Sequence, residues 1–177
     1  MKKVALFGLL SVAVMANESG LYVGAEVGSA RTNATDNISG VAYHYTSNRV
    51  SEAVNAGYYL NDNGRAYVAY QHVGGGSSPI PKSSNIYSVG YDYLLGTSSL
   101  KPFVGAIIGY STYEDGYFKV NGMAYGAQVG VDYKINNNIS VDAGYRYLSS
   151  SAEATYSGDK STIDSFQTFF AGANYKF

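Results

Sequence analysis

The chain has 177 residues, only 14% of them charged, and a formal net charge of −1. Ordinary soluble chains carry about 25% charged residues, and a nucleic-acid binder shows a basic footprint that 12 Lys and Arg against 13 Asp and Glu do not supply. Cysteine is absent, which excludes disulfides, while Gly (21) and Tyr (19) are abundant.

Lys2 and Lys3 open the chain, an apolar run covers residues 4–15, and the small Ala16 follows. This order predicts a secretory signal peptide over residues 1–16 and a single domain over 17–177. The run is shorter than the roughly 20 residues a membrane helix needs. A chain of this kind enters a membrane only as a closed barrel, the other structure that satisfies every backbone group.

Eight strands are expected, at residues 20–31, 51–60, 65–72, 84–94, 101–112, 123–134, 139–148 and 165–177. The joints at 61–64, 95–100 and 135–138 are short and rich in Asn, Gly or Ser. Those at 32–50, 73–83, 113–122 and 149–164 are longer and polar. Short and long joints alternate, as they do in outer-membrane barrels with both termini in the periplasm.

Each strand alternates in character. Leu21, Val23, Ala25 and Val27 lie opposite Gly24, Glu26 and Gly28; Tyr87, Val89, Tyr91 and Tyr93 lie opposite Ser88, Gly90 and Asp92. The bulky apolar parity is expected to face lipid, and the small, polar parity to face the lumen. A soluble ligand-binding barrel is inverted, with its apolar residues inside. Outward aromatics fall at two heights. Tyr70, Tyr87, Tyr110, Tyr125, Tyr145, Tyr147 and Phe169 lie near the outer end, and Tyr58, Tyr91, Tyr93, Tyr133, Tyr175 and Phe177 near the other. Two aromatic girdles flanking an apolar band are the mark of a membrane wall.

Inward parity places a set of polar residues in the lumen: Glu26, Arg65, Asp92, Lys101, Gln128, Asp132, Lys134, Asp142, Arg146 and Lys176. Unpaired buried charge is costly, so these are expected to pair into a network that plugs the barrel. The alternative is a thin water-filled path lined by the same residues. Eight strands enclose a space that side chains just fill, which favours the plug.

Catalytic signals are weak. His44 sits in the first long joint and His72 at the end of the third strand, neither beside a nucleophile and an acid in sequence. Gly74, Gly75 and Gly76 lack the Lys-Ser/Thr of a phosphate loop, and the acidic residues have no calcium-loop spacing. No enzyme, cofactor or metal is expected.

The closing strand alternates to the end, placing Tyr175 and Phe177 on its outward face. That ending, the Gly-Leu-Tyr-Val-Gly-Ala-Glu-Val-Gly stretch from Gly20 and the repeated Gly-Tyr strand ends resemble the small outer-membrane β-barrel family of opacity-type, OmpX-type and OmpA-membrane-domain proteins. The resemblance covers nearly all of the mature chain. It implies an all-β, eight-stranded, antiparallel, up-and-down transmembrane barrel in a Gram-negative outer membrane. Tyr175 and Phe177 would then be the insertion signal read by the barrel assembly machinery. The surroundings would be outer-membrane lipid and lipopolysaccharide, and a barrel this size needs no second copy to close. The leading functional expectation is a structural or surface-interaction role, in adhesion or protection, toward a host or surface ligand. The loop aromatics Tyr43, Tyr45, Tyr113, Tyr117, Phe118 and Tyr156 are its contact candidates. A narrow porin for small solutes is the second reading and a lipid-modifying enzyme the third. The lipid A deacylase type of barrel carries a His-x-Ser pair, which here is approached only by His44-Tyr45-Thr46.

Overall fold

The computed structural model describes residues 19–38, 41–74, 82–115, 118–156 and 159–177. The expected signal segment and the Gly75–Gly76 part of the glycine run lie outside them, as does Tyr117. Eight strands follow in order: β1 Gly20–Ile38, β2 Val41–Asn61, β3 Gly64–Gly74, β4 Lys82–Leu94, β5 Leu100–Asp115, β6 Phe118–Lys134, β7 Ile139–Tyr156 and β8 Asp159–Lys176. Each pairs antiparallel with the next, and β8 returns to β1 to close the barrel. Ala25 of β1 stands between Val54 of β2 and Ala173 of β8, so the wall is continuous across the seam.

Two of the three short connections are built by asparagine. Asn61 Oδ1 accepts the Asn63 backbone N–H at 2.8 Å. Asn136 Oδ1 accepts those of Asn138 and Ile139 at 2.9 and 2.8 Å. The side chain thus replaces a backbone acceptor where the chain reverses. Gly96 takes a φ of 85° in the turn at 95–100, a conformation that glycine adopts without strain.

At the other end the strands are longer than expected. Residues assigned to long joints continue the ladders, so that β1 runs on to Ile38 and β2 begins at Val41, while β7 and β8 reach Tyr156 and Asp159. The physical reason is that backbone pairing needs extended residues in register and is indifferent to side-chain polarity. Thr46 donates to Asn33 and Thr35 bonds His44 directly across the β1–β2 ladder. Apolar alternation therefore marks the membrane band, which needs roughly 9–11 residues per strand, and not the length of the strand.

The outward face is the expected one: Val27, Val54, Val68, Tyr87, Ile108, Val129 and Phe169 are all exposed. The lumen departs from expectation, since it is not uniformly small and polar. Tyr22, Tyr67, Ile86, Leu94, Phe103, Ile107, Leu148, Phe166 and Phe170 are buried within it. The inward glycines explain how they fit. Tyr67 pairs with Gly90, Phe103 with Gly130 and Phe170 with Gly144 across adjacent strands, and each ring occupies the place a Cβ would take. Large and small residues alternate between neighbouring strands, filling a narrow barrel without forcing the backbone outward.

Candidate functional site

Two regions carry the polar chemistry of the fold: the lumen and the part of the sheet that rises above the wall. In the lumen, Arg65 of β3 is 3% exposed. Its Nε donates to Asp92 Oδ2 at 2.8 Å, and Nη1 and Nη2 reach Asp132 Oδ2 and Asp142 Oδ2 at 3.3 Å each. Three strands thereby converge on one guanidinium. Its Cζ lies 5.0 Å from the Phe103 ring centroid. Arg146 of β7 forms a second centre. It donates to Glu26 Oε2 at 2.9 Å, to Gln128 Oε1 at 2.9 Å and to Gln71 Oε1 at 3.2 Å, with its Cζ 4.7 Å from the Phe170 ring centroid. Gln128 joins the two centres by donating to Asp92 Oδ1 at 2.8 Å. Planar guanidinium, with five donors, suits this role better than ammonium.

Seven of the ten residues expected in the network thus meet there: Glu26, Arg65, Asp92, Gln128, Asp132, Asp142 and Arg146. Lys101, Lys134 and Lys176 gather beside Asp132 at the short-turn mouth of the same lumen. There they line a cavity of about 50 Å³ with Asn136, Asn138 and Asp132. Lys101 Nζ donates to the Asp62 carbonyl at 2.8 Å. Inward parity puts all three at this end of the barrel, where a long stem lets the ammonium sit near the mouth. Residues not anticipated also enter. Gln71, Asn55, Asn174 and Ser140 bond Arg146, Glu26, Asp142 and Asp132 in turn. Inward parity held the signal for Gln71 and Asn55, but neither carries the charge that drew the expectation.

Apolar side chains close the lumen on both sides of this network. Ile86, Ile107, Val120, Leu148, Ile163 and Phe166 pack together toward the long-hairpin end, and Leu94, Phe103 and Phe170 form a second cluster with Tyr59. Between the arginine centres the described side chains leave no cavity large enough for a water molecule.

Above the wall, β7, β8, β1 and β2 continue as a four-stranded sheet. The β1–β2 ladder extends to Ile38 opposite Val41, whereas the β2–β3 ladder ends at Val50 opposite Gly74. Among the described residues, 41–48 of β2 therefore have a strand partner on the β1 side alone. Tyr43 and Tyr45, with Val41, share one face of this segment, and all three are exposed. The contact candidates were expected in loops; these two lie on a strand instead. Tyr113 lies on β5, half-buried against the upper apolar cluster, so its ring serves packing. Phe118 begins β6 and Tyr156 ends β7, their side chains lying outside the described residues.

The two histidines are far apart in the wall. His44 Nδ1 lies 3.0 Å from Thr35 Oγ1, whose hydroxyl donates to Asp164 Oδ2 at 2.7 Å. The hydroxyl sits between imidazole and carboxylate, the wrong order for a nucleophile whose base is held by an acid. His72 Nδ1 donates to Asn85 Oδ1 at 2.8 Å.

Known proteins share this architecture. Neisserial surface protein A (NspA) superposes with a TM-score of 0.68 at 23% identity, covering 89% of this chain and 97% of that one. OprG from Pseudomonas aeruginosa gives 0.60 at 16% identity, covering 90% and 97%. In sequence, the outer membrane protein PagN of Salmonella typhimurium is 28% identical over 131 residues, covering 68% of this chain and 47% of PagN. The chain thus spans about half the length of that relative. Residues 4–177 match the family described as the outer membrane protein beta-barrel domain. With an eight-stranded closed wall, an apolar outward band and that match over nearly its whole length, the chain belongs to the outer membrane β-barrel family and resides in the outer membrane.

Proposed function

We propose that this protein is a non-conducting surface-interaction barrel whose projecting sheet receives an extended segment of a polypeptide partner along β2. The observation that carries this reading is the β2 edge at residues 41–48, left without a strand on the β3 side among the described residues. Edge strands are normally blunted by lysine, proline or a bulge. None of these interrupts Val-Ala-Tyr-His-Tyr-Thr-Ser-Asn, and its ladder with β1 is regular. An extended peptide added to such an edge gains main-chain hydrogen bonds, and alternate side chains supply selectivity. Tyr43 and Tyr45 are amphipathic contacts of the kind that dominate interfaces.

The test is adhesion of bacteria displaying the protein to a cultured cell layer. Protease treatment of that layer should abolish adhesion. Two proline pairs, Ala42→Pro with His44→Pro and Tyr43→Pro with Tyr45→Pro, block opposite sides of the strand, because amide direction alternates along it. One pair should abolish adhesion while the barrel melts like the parent. Parent-like adhesion by both pairs, or none by the parent, rejects the reading.

The apolar clusters above and below the network argue for a plugged barrel over a porin. The order of Thr35 between His44 and Asp164 gives no support for catalysis, and no enzymatic role is proposed.

A further inference from the structure

The lipid-facing wall has a second feature, independent of the projecting sheet. Register aligns three successive rows across β2 to β6. The uppermost is Glu52, His72, Asn85, Thr112 and Asn121, each directly opposite the next. Beneath it runs Val54, Tyr70, Tyr87, Tyr110 and Met123, and beneath that Ala56, Val68, Val89, Ile108 and Tyr125. The wall is therefore polar, then aromatic, then aliphatic over three steps of the pleat. In the hoop of Glu52, the next strand carries Val27, so the polar row stops at β1.

The top two rows are tied together. Tyr70 donates through its hydroxyl to Asn85 Oδ1 at 2.9 Å, and His72 Nδ1 donates to the same oxygen at 2.8 Å. Thr112 donates to the Asn85 carbonyl at 3.5 Å, and the Tyr70 and Tyr87 rings lie 5.1 Å apart. Below this fixed shelf the wall is indented. A shallow depression of about 750 Å³, lined by Val54, Ala56, Val68, Val89 and Ile108 and reaching the tyrosines, opens to the membrane side.

We propose that these rows form a glycolipid-binding site, with an acyl chain in the depression and a hydroxyl-rich headgroup on the polar row. The order of the rows matches the order of polarity along such an amphiphile. In a membrane, an indentation below the aromatic girdle is filled by lipid chain, because nothing else there is apolar and mobile. The headgroup class follows from the row itself. It holds a carboxylate, two carboxamides, a hydroxyl and an imidazole, and no lysine or arginine. Glu52 repels a phosphodiester but accepts from sugar hydroxyls, while the Asn121 amide both donates and accepts. The tyrosine row offers ring faces beneath.

The chain contains no tryptophan, so a single one introduced on the wall is a clean reporter. Val68→Trp places it in the depression, and Val141→Trp places it on the lipid face of β7. Each variant is refolded into phosphatidylcholine vesicles, and folding is checked by the heat-dependent shift in gel mobility. The vesicles are doped with either a glucosyl diacylglycerol or a phosphatidylglycerol bearing the same brominated chains. The glycolipid should quench the fluorescence of Val68→Trp at a mole fraction several-fold below that needed for Val141→Trp. The phosphatidylglycerol should quench both variants alike. Adding Glu52→Ala and Asn85→Ala should remove the difference. Equal quenching of both variants by the glycolipid, or preferential quenching of Val68→Trp by phosphatidylglycerol, overturns the proposal. If Val68→Trp does not fold, Val89→Trp reports on the same depression.

Discussion

Gly130 of β6 faces Phe103 of β5 across their ladder, and a Cβ at Gly130 would stand 2.6 Å from Phe103 Cζ. The same added carbon would meet the Ala143 carbonyl of β7. One position therefore serves a ring on one side and a backbone on the other. Gly130→Val should overpack the lumen and destabilise the barrel by roughly 1–3 kcal/mol. Urea unfolding in lipid vesicles measures this, and a parent-like midpoint would mean the ring moves freely.

Arg65 is the hub of the lower network, so its loss should exceed the loss of any one acid. Arg65→Leu leaves Asp92, Asp132 and Asp142 buried without their shared cation. Removing one partner of a buried pair costs about 3–5 kcal/mol. Asp132→Ala should cost less, because Arg65 keeps two other carboxylates although its Nη1 and the Ser140 hydroxyl both lose an acceptor. Melting of the folded gel band ranks the two variants. The reverse ranking would reject Arg65 as the hub.

The plugged lumen makes an electrical prediction. Folded protein in a planar bilayer should show no steady single-channel openings, because Phe166, Leu148 and Ile86 close the outer side and Phe103, Leu94 and Phe170 the inner. Reproducible conductance from demonstrably folded protein would return the narrow-porin reading to first place.

The projecting hairpin should be thermodynamically separable from the wall. Residues 35–38 and 41–44 pair above the last described residue of β3, and none of the described side chains among them belongs to either apolar cluster. Replacing residues 35–44 with Asn-Gly, a two-residue hairpin turn, should leave the barrel's melting temperature unchanged while abolishing adhesion. A large drop in melting temperature would mean the sheet supports the wall.

The wall itself was legible in the chain. Val23, Val89 and Val129 alternate with Gly24, Gly90 and Gly130, and a period of two in a membrane leaves one face for lipid and one for the lumen. The arginine network was partly legible. Inward parity plus charge found Arg65, Asp92 and Asp132 at the centre of the network and Lys101, Lys134 and Lys176 at the lumen mouth beside Asp132, without telling the two settings apart. Parity sets a side chain's direction and not how far its stem carries its charge.

Two things were decided only by tertiary structure. Glycine read as part of a small, polar inward face, yet Phe103 and Phe170 fill the space opposite Gly130 and Gly144, which cross-strand register alone reveals. The polar stretch from Thr32 to Val50 read as a loop, yet most of it is strand, and among the described residues β2 outruns β3 and leaves an edge. Alternation is a local property that each strand carries in its own residues. Register and relative strand length are relations between distant segments, and they take form only when the barrel closes.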